Sequence, residues 1–151
     1  LEKSAAVLAH SAHVKGRVEV VPTDTDYTML IDYAHTPDAV ENVLRSVRGF
    51  ARGRVIALFG CGGDRDKTKN PKSIIQDILA GMYCSQTPHI VVENRVEAIY
   101  YAMDHAQKDD VIVLMGKGHE TYQIVGTEKR HLDEREIIAG HLRQQKTENE
   151  K

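Results

Sequence analysis

Three short segments of this 151-residue chain carry charged or hydrogen-bonding side chains, two of them among glycines, in patterns that could hold a small anionic ligand. In GCGGDRD, residues 60–66, Gly60, Gly62 and Gly63 permit the positive-φ turns in which successive amides form a concave anion site. Arg65 could clamp a phosphate or carboxylate through two parallel hydrogen bonds, or Asp64 and Asp66 could hold Arg65 and Lys67 by pairing. A tight structural turn would use the same glycines. In GKGHETYQ, residues 116–123, Gly116 and Gly118 let the backbone around Lys117 approach a ligand. Glu120 offers an anion for an amine and His119 can donate or accept, with a solvated turn as the alternative. In DYAHTPD, residues 32–38, Asp32 could accept from ribose hydroxyls and His35 could meet a phosphate. Both could instead satisfy turn amides while Thr36 and Pro37 start a helix.

Other chemistries find less support. There is no GxxxxGK[ST] or GxGxxG pattern. Cys61, Cys84, His35 and His119 lack compact metal-ligand spacing, although distant residues can converge. Cys61 could act as a nucleophile, but a buried loop cysteine is the commoner case. Twenty Lys plus Arg against 22 Asp plus Glu leave a charge of −2, and the tyrosines are not interleaved with a basic stripe, which argues against nucleic acid as a partner. No apolar run is long enough for a membrane span or shaped like a secretory signal, and two cysteines without a CxxC pair suit a reducing, cytoplasmic setting.

The elements that must position these loops follow from hydrophobic period. Strands are predicted at 18–21, 27–31, 54–59, 90–92 and 111–115, with a short edge strand at 122–125. The 54–59 run is continuous enough to suggest cover on both faces. Helices are predicted from Thr36 and Pro37, with Val40, Val43, Leu44 and Val47 on one face, from Pro71 to Gly81, around Val96 to Met103, and after Asp133. Alternation of this kind makes an α/β fold with a Rossmann-like, mostly parallel sheet flanked by helices. Its strand-end loops, after Ile31, Phe59 and Met115, would form the binding edge. The domain is assigned to 14–143, with 1–13 as a linker or terminal segment and 144–151 as a flexible tail.

Together with GRVE at 16–19, the three motifs, in this order, resemble the C-terminal domain of the Mur ligases, and most closely the members that add meso-diaminopimelate. The likeness covers about residues 14–142. It implies an ATP-dependent amide ligase of peptidoglycan synthesis, in which a central domain carries the P-loop and most of the Mg2+ site and an N-terminal domain holds the UDP-sugar. By that likeness Arg17, Asp32 and His35 face ATP, while Arg65 meets a carboxylate of diaminopimelate and Gly116 and Glu120 hold its distal amino-acid end. The isolated domain would be inactive, because aligning groups cannot replace an activated substrate. A noncatalytic nucleotide- or anion-binding interaction module is the alternative. The sequence departs from the family in one place: KTK at 67–69 runs into NPKSIIQDI at 70–78, so that about one αβ unit, including a DNPR-type motif, is absent. Lys72 is not assigned the role of that motif's arginine.

Overall fold

Alternating apolar residues on two central strands divide the core into two layers. The computed structural model describes residues 14–60, 71–125 and 127–149. In chain order it contains β1 (Glu19–Val21), β2 (Thr28–Asp32), α1 (Pro37–Phe50), β3 (Val55–Leu58), α2 (Pro71–Gly81), α3 (Arg95–Asp104), β4 (Val111–Met115), β5 (Tyr122–Val125), β6 (Glu128–His131) and α4 (Glu134–Asn149). The main sheet runs β1-β2-β4-β3, and β5 and β6 form a separate antiparallel hairpin. β2, β4 and β3 are mutually parallel, while β1 adds antiparallel to β2. This is the α/β, mostly parallel architecture predicted from the alternating periods.

β4 is buried along its whole length, as a strand covered on both faces must be. Its Ile112 and Leu114, with Met29 and Ile31 of β2, pack against Ile99, Ala102 and Met103 of α3 and Ile138 of α4. Val111, Val113 and Met115, with Leu30, meet the predicted stripe of α1, of which Val47 is fully buried. Truncating one of these large side chains to Ala would cost about 2–5 kcal/mol. The Thr36 hydroxyl accepts from the Ala39 amide to cap α1, and the Asn94 side chain caps α3.

Two expectations are corrected. Residues 90–92 form no strand, and Ile90 and Val91 are exposed, because no strand among the described residues reaches them to complete a ladder. The 54–59 run is covered on both faces only in part: Ile56 and Leu58 pack against one core layer and Val55 against the other, while Ala57 is exposed, and β3 is an edge strand among the described residues. The final helix, Glu134–Asn149, extends into the expected tail at 144–151. Its extension is tied back by Gln145 Nε2 donating to Asp104 and by the Lys146–Asp24 pair.

Candidate functional site at the carboxyl ends of the strands

Parallel register fixes where the loops begin. Asp32 pairs with Met115 across β2 and β4, and Leu58 pairs with Leu114 across β3 and β4. The chain therefore leaves all three strands at one rim. The Gly116 amide donates to the Asp32 carbonyl at 3.1 Å. A Cβ on Gly116, which has φ +99°, would lie 3.4 Å from the Gly60 carbonyl oxygen. Gly60 thus starts its loop beside Gly116, while Gly62, Gly63, Asp64 and Arg65 lie outside the described residues.

Two of the loops interlock with the turn that precedes β1. Gly16 and Gly118 are buried at positive φ, and a Cβ on Gly16 would come within 2.3 Å of the His119 amide nitrogen. A Cβ on Gly118 would come within 2.7 Å of Tyr33 Cβ and 2.9 Å of the Gly16 carbonyl. Only glycine allows backbone to meet backbone so closely. Asp32, 3% exposed, turns its carboxylate inward: Oδ1 accepts from the Ala34 amide at 2.6 Å and Oδ2 from the Val18 amide at 2.7 Å. The second bond holds Val18 at φ +44°, an unusual conformation for a β-branched residue, immediately after Arg17. Asp32 therefore anchors the turn that presents Arg17.

Tyr33 is the hub of the outer surface, a role its sequence position did not suggest. The Arg17 guanidinium lies 5.0 Å from its ring centroid, with the His35 ring edge-on at 4.9 Å and the His119 ring at 5.5 Å. Arg17, His35 and His119 are exposed. An exposed guanidinium and two imidazoles around an aromatic ring suit a ligand that is both anionic and aromatic.

Deeper in, Lys117 Nζ donates to the Tyr122 carbonyl and lies 3.7 Å from Glu120. Burial pushes the Lys117 ammonium below its ordinary value, against the pull of Glu120 and Glu134. Arg95 and Glu134 pair at 2.6 Å with only 11% and 1% of their side chains exposed. Arg135 grips Glu19 through two nitrogens and also donates to the Gly118 carbonyl at 3.3 Å. The Arg135 hydrogen bonds hold the Glu19 carboxyl below its usual range. Arg95, Glu134 and Arg135 carry no motif signal, and Glu19 has only its place in GRVE. Their partners lie 39 and 116 positions apart in the chain, and only the fold joins them. Among the described residues no group of three or more His, Cys, Asp or Glu could hold a metal ion.

Comparison with known proteins gives the site a context. Residues 16–73 match the family model "Mur ligase, glutamate ligase domain". The chain is 43% identical over 171 positions to UDP-N-acetylmuramoyl-L-alanyl-D-glutamate--2,6-diaminopimelate ligase 1 of Clostridium acetobutylicum, a match covering 95% of this chain and 35% of that protein. A ligase of the same activity by name from Caldanaerobacter subterraneus subsp. tengcongensis is 45% identical over 150 positions, covering 83% of this chain and 31% of the relative. A solved structure of a 2,6-diaminopimelate ligase superposes with a TM-score of 0.79 at 27% identity, over 95% of this chain and 36% of that one. The chain spans about a third of the length of these relatives.

Proposed function

The chain belongs to the Mur ligase family through its glutamate ligase domain, and from that premise we propose that it is the C-terminal part of an ATP-dependent ligase joining meso-diaminopimelate to UDP-N-acetylmuramoyl-L-alanyl-D-glutamate in peptidoglycan synthesis. The observation that carries the reading is the clasp of Gly16, Tyr33 and Gly118, which brings the GRVE, DYAHTPD and GKGHE segments into contact at one rim.

In this reading Arg17 and His35 meet the nucleotide, and Asp32 serves that side by fixing the Arg17 turn. Gly116 and Glu120 hold the distal amino-acid end of diaminopimelate, with Lys117 and His119 supporting them, and Arg65 meets a carboxylate from the loop that starts at Gly60. The central domain supplies the phosphate-binding loop and most of the Mg2+ site, and the N-terminal domain holds the UDP-sugar. ATP transfers its terminal phosphoryl group to the peptide carboxylate, releasing ADP. The amine of diaminopimelate then attacks the acyl phosphate, an amide bond forms, and phosphate leaves. This domain contributes alignment of the amine, which removes much of the entropic cost of bringing two reactants together. It works in the cytoplasm, where the nucleotide substrates are made.

The proposal includes an αβ unit beyond the residues in hand, entering near 69–70. An alignment of 171 positions spans 95% of a 151-residue chain, so more than twenty positions of that relative face no residue here. The exposed edge of β3 is consistent with such an addition.

Amino-acid-dependent ADP release by the full-length protein tests the function. Release is expected with meso-diaminopimelate and not with lysine, and the 151-residue chain alone is expected to release none. Equal release with the two amino acids would end the assignment of specificity.

A further inference from the structure

Arg95 is the first residue of α3, where the helix dipole disfavours a cation, and it is nevertheless almost wholly buried. Its Nε donates to Glu134 Oε1 at 2.6 Å and its Nη2 donates to the Met115 carbonyl at 2.8 Å. Met115 is the last residue of β4, and the next residue is Gly116 at φ +99°. The fork of Arg95 therefore joins the start of α4 to the point where the Gly116–Glu120 loop leaves the sheet. Glu134 Oε2 is buried without a hydrogen-bond partner among the described residues. A pair retained only for stability would be a poor solution, since well-packed apolar side chains commonly do as well.

We infer that Arg95 and Glu134 are positioning residues that fix the exit of the Gly116–Glu120 loop from β4, and so set the affinity of the site for the amino-acid substrate. The inference rests on the reading of that loop as the amino-acid site. The same two charges bear on Lys117, with Glu134 favouring and Arg95 opposing its protonated form, so the pair also balances the field beside Glu120.

The test uses the full-length protein with Glu134→Gln and with the apolar double variant Arg95→Met/Glu134→Leu. Glu134→Gln should raise the KM for meso-diaminopimelate ~10-fold, leaving kcat and the KM for ATP within about twofold. Hydrogen exchange over 115–122 should quicken while that over 53–58 stays unchanged. The double variant should regain the thermal midpoint lost in Glu134→Gln without regaining the KM. Recovery of KM along with the midpoint, or a uniform rise in exchange, would reduce the pair to a structural role and overturn the inference. Should the wild-type protein release ADP with no amino acid, the ligase reading fails, and the exchange pattern still decides whether the pair positions the loop.

Discussion

The parallel strands carry an arginine–carboxylate pair at each end, and the two pairs are built differently. At the amino ends, Asp110 accepts from the Arg54 and Gln107 amides and from the Arg54 Nε and Nη2, so its carboxylate is fully used. Arg54 is 53% exposed and also reaches the His105 carbonyl. At the carboxyl ends, the Arg95 and Glu134 side chains are only 11% and 1% exposed, one carboxylate oxygen has no partner among the described residues, and the arginine holds a loop exit. The first arrangement closes off the fold. The second leaves polar capacity unspent beneath a rim that presents the exposed Arg17, which is the pattern of a site held ready at some cost in stability.

A matched pair of glycines separates the two ends most sharply. A Cβ on Gly53 would meet Asp109 backbone atoms at 2.6 Å, just as one on Gly16 would meet the Gly118–His119 backbone. Both Gly53→Ala and Gly16→Ala should lower the melting temperature of the full-length protein. Only Gly16→Ala, which parts the GRVE turn from the GKGHE loop, should also cut ligase turnover, by roughly a hundredfold or about 2.7 kcal/mol of transition-state stabilisation. Equal turnover losses in the two variants would erase the distinction between the ends.

The next effect falls on stability alone. Asp110→Asn keeps the shape of a 2%-exposed side chain but removes the charge and one acceptor that serve four donors. Urea unfolding should show a loss of about 2–3 kcal/mol. Steady-state assays should show unchanged KM values for ATP and diaminopimelate. A raised KM would mean that the amino-end network reaches the site after all.

How far the sequence foretold this contrast depends on whether the signal was local. The periods of β2, β4 and the helices, the Thr36 cap and the DYAHTPD and GKGHE turns can be read within windows of a dozen residues, and the structure has them, while of GCGGDRD only Gly60 lies among the described residues. The inward turn of Asp32 is one of the two roles its position allowed, and choosing between them needed the Val18 amide, 14 residues upstream. The pairs Arg95–Glu134 and Glu19–Arg135 lack any such window, because the register of β4 and the docking of α4 create them. Residues 90–92 failed in the opposite sense. An apolar triplet reads as a strand, but a strand needs a ladder partner, and Ile90 and Val91 stand exposed and outside every ladder among the described residues.

Acid titration should give the smallest effect and extend the comparison to charge. The Glu19 carboxyl is held below its ordinary value of 4.5, chiefly by its hydrogen bonds to Arg135. A carboxyl lowered on folding stabilises fully above its unfolded pKa, and that contribution is lost as pH falls through the lower folded value. Glu19→Gln should therefore cost about 1.5 kcal/mol at pH 7 and progressively less below about pH 4.5, so that its unfolding curve meets that of the wild-type protein in acid. Asp110, lowered mainly by its hydrogen bonds to Arg54, obeys the same sign. Losing the charge has a different consequence at each end. The Glu19–Arg135 pair also holds the Gly118 carbonyl, so Glu19→Gln should quicken hydrogen exchange at 116–120 at neutral pH, and Asp110→Asn should leave it alone. Quickened exchange of that loop in Asp110→Asn would show that the two networks act as one.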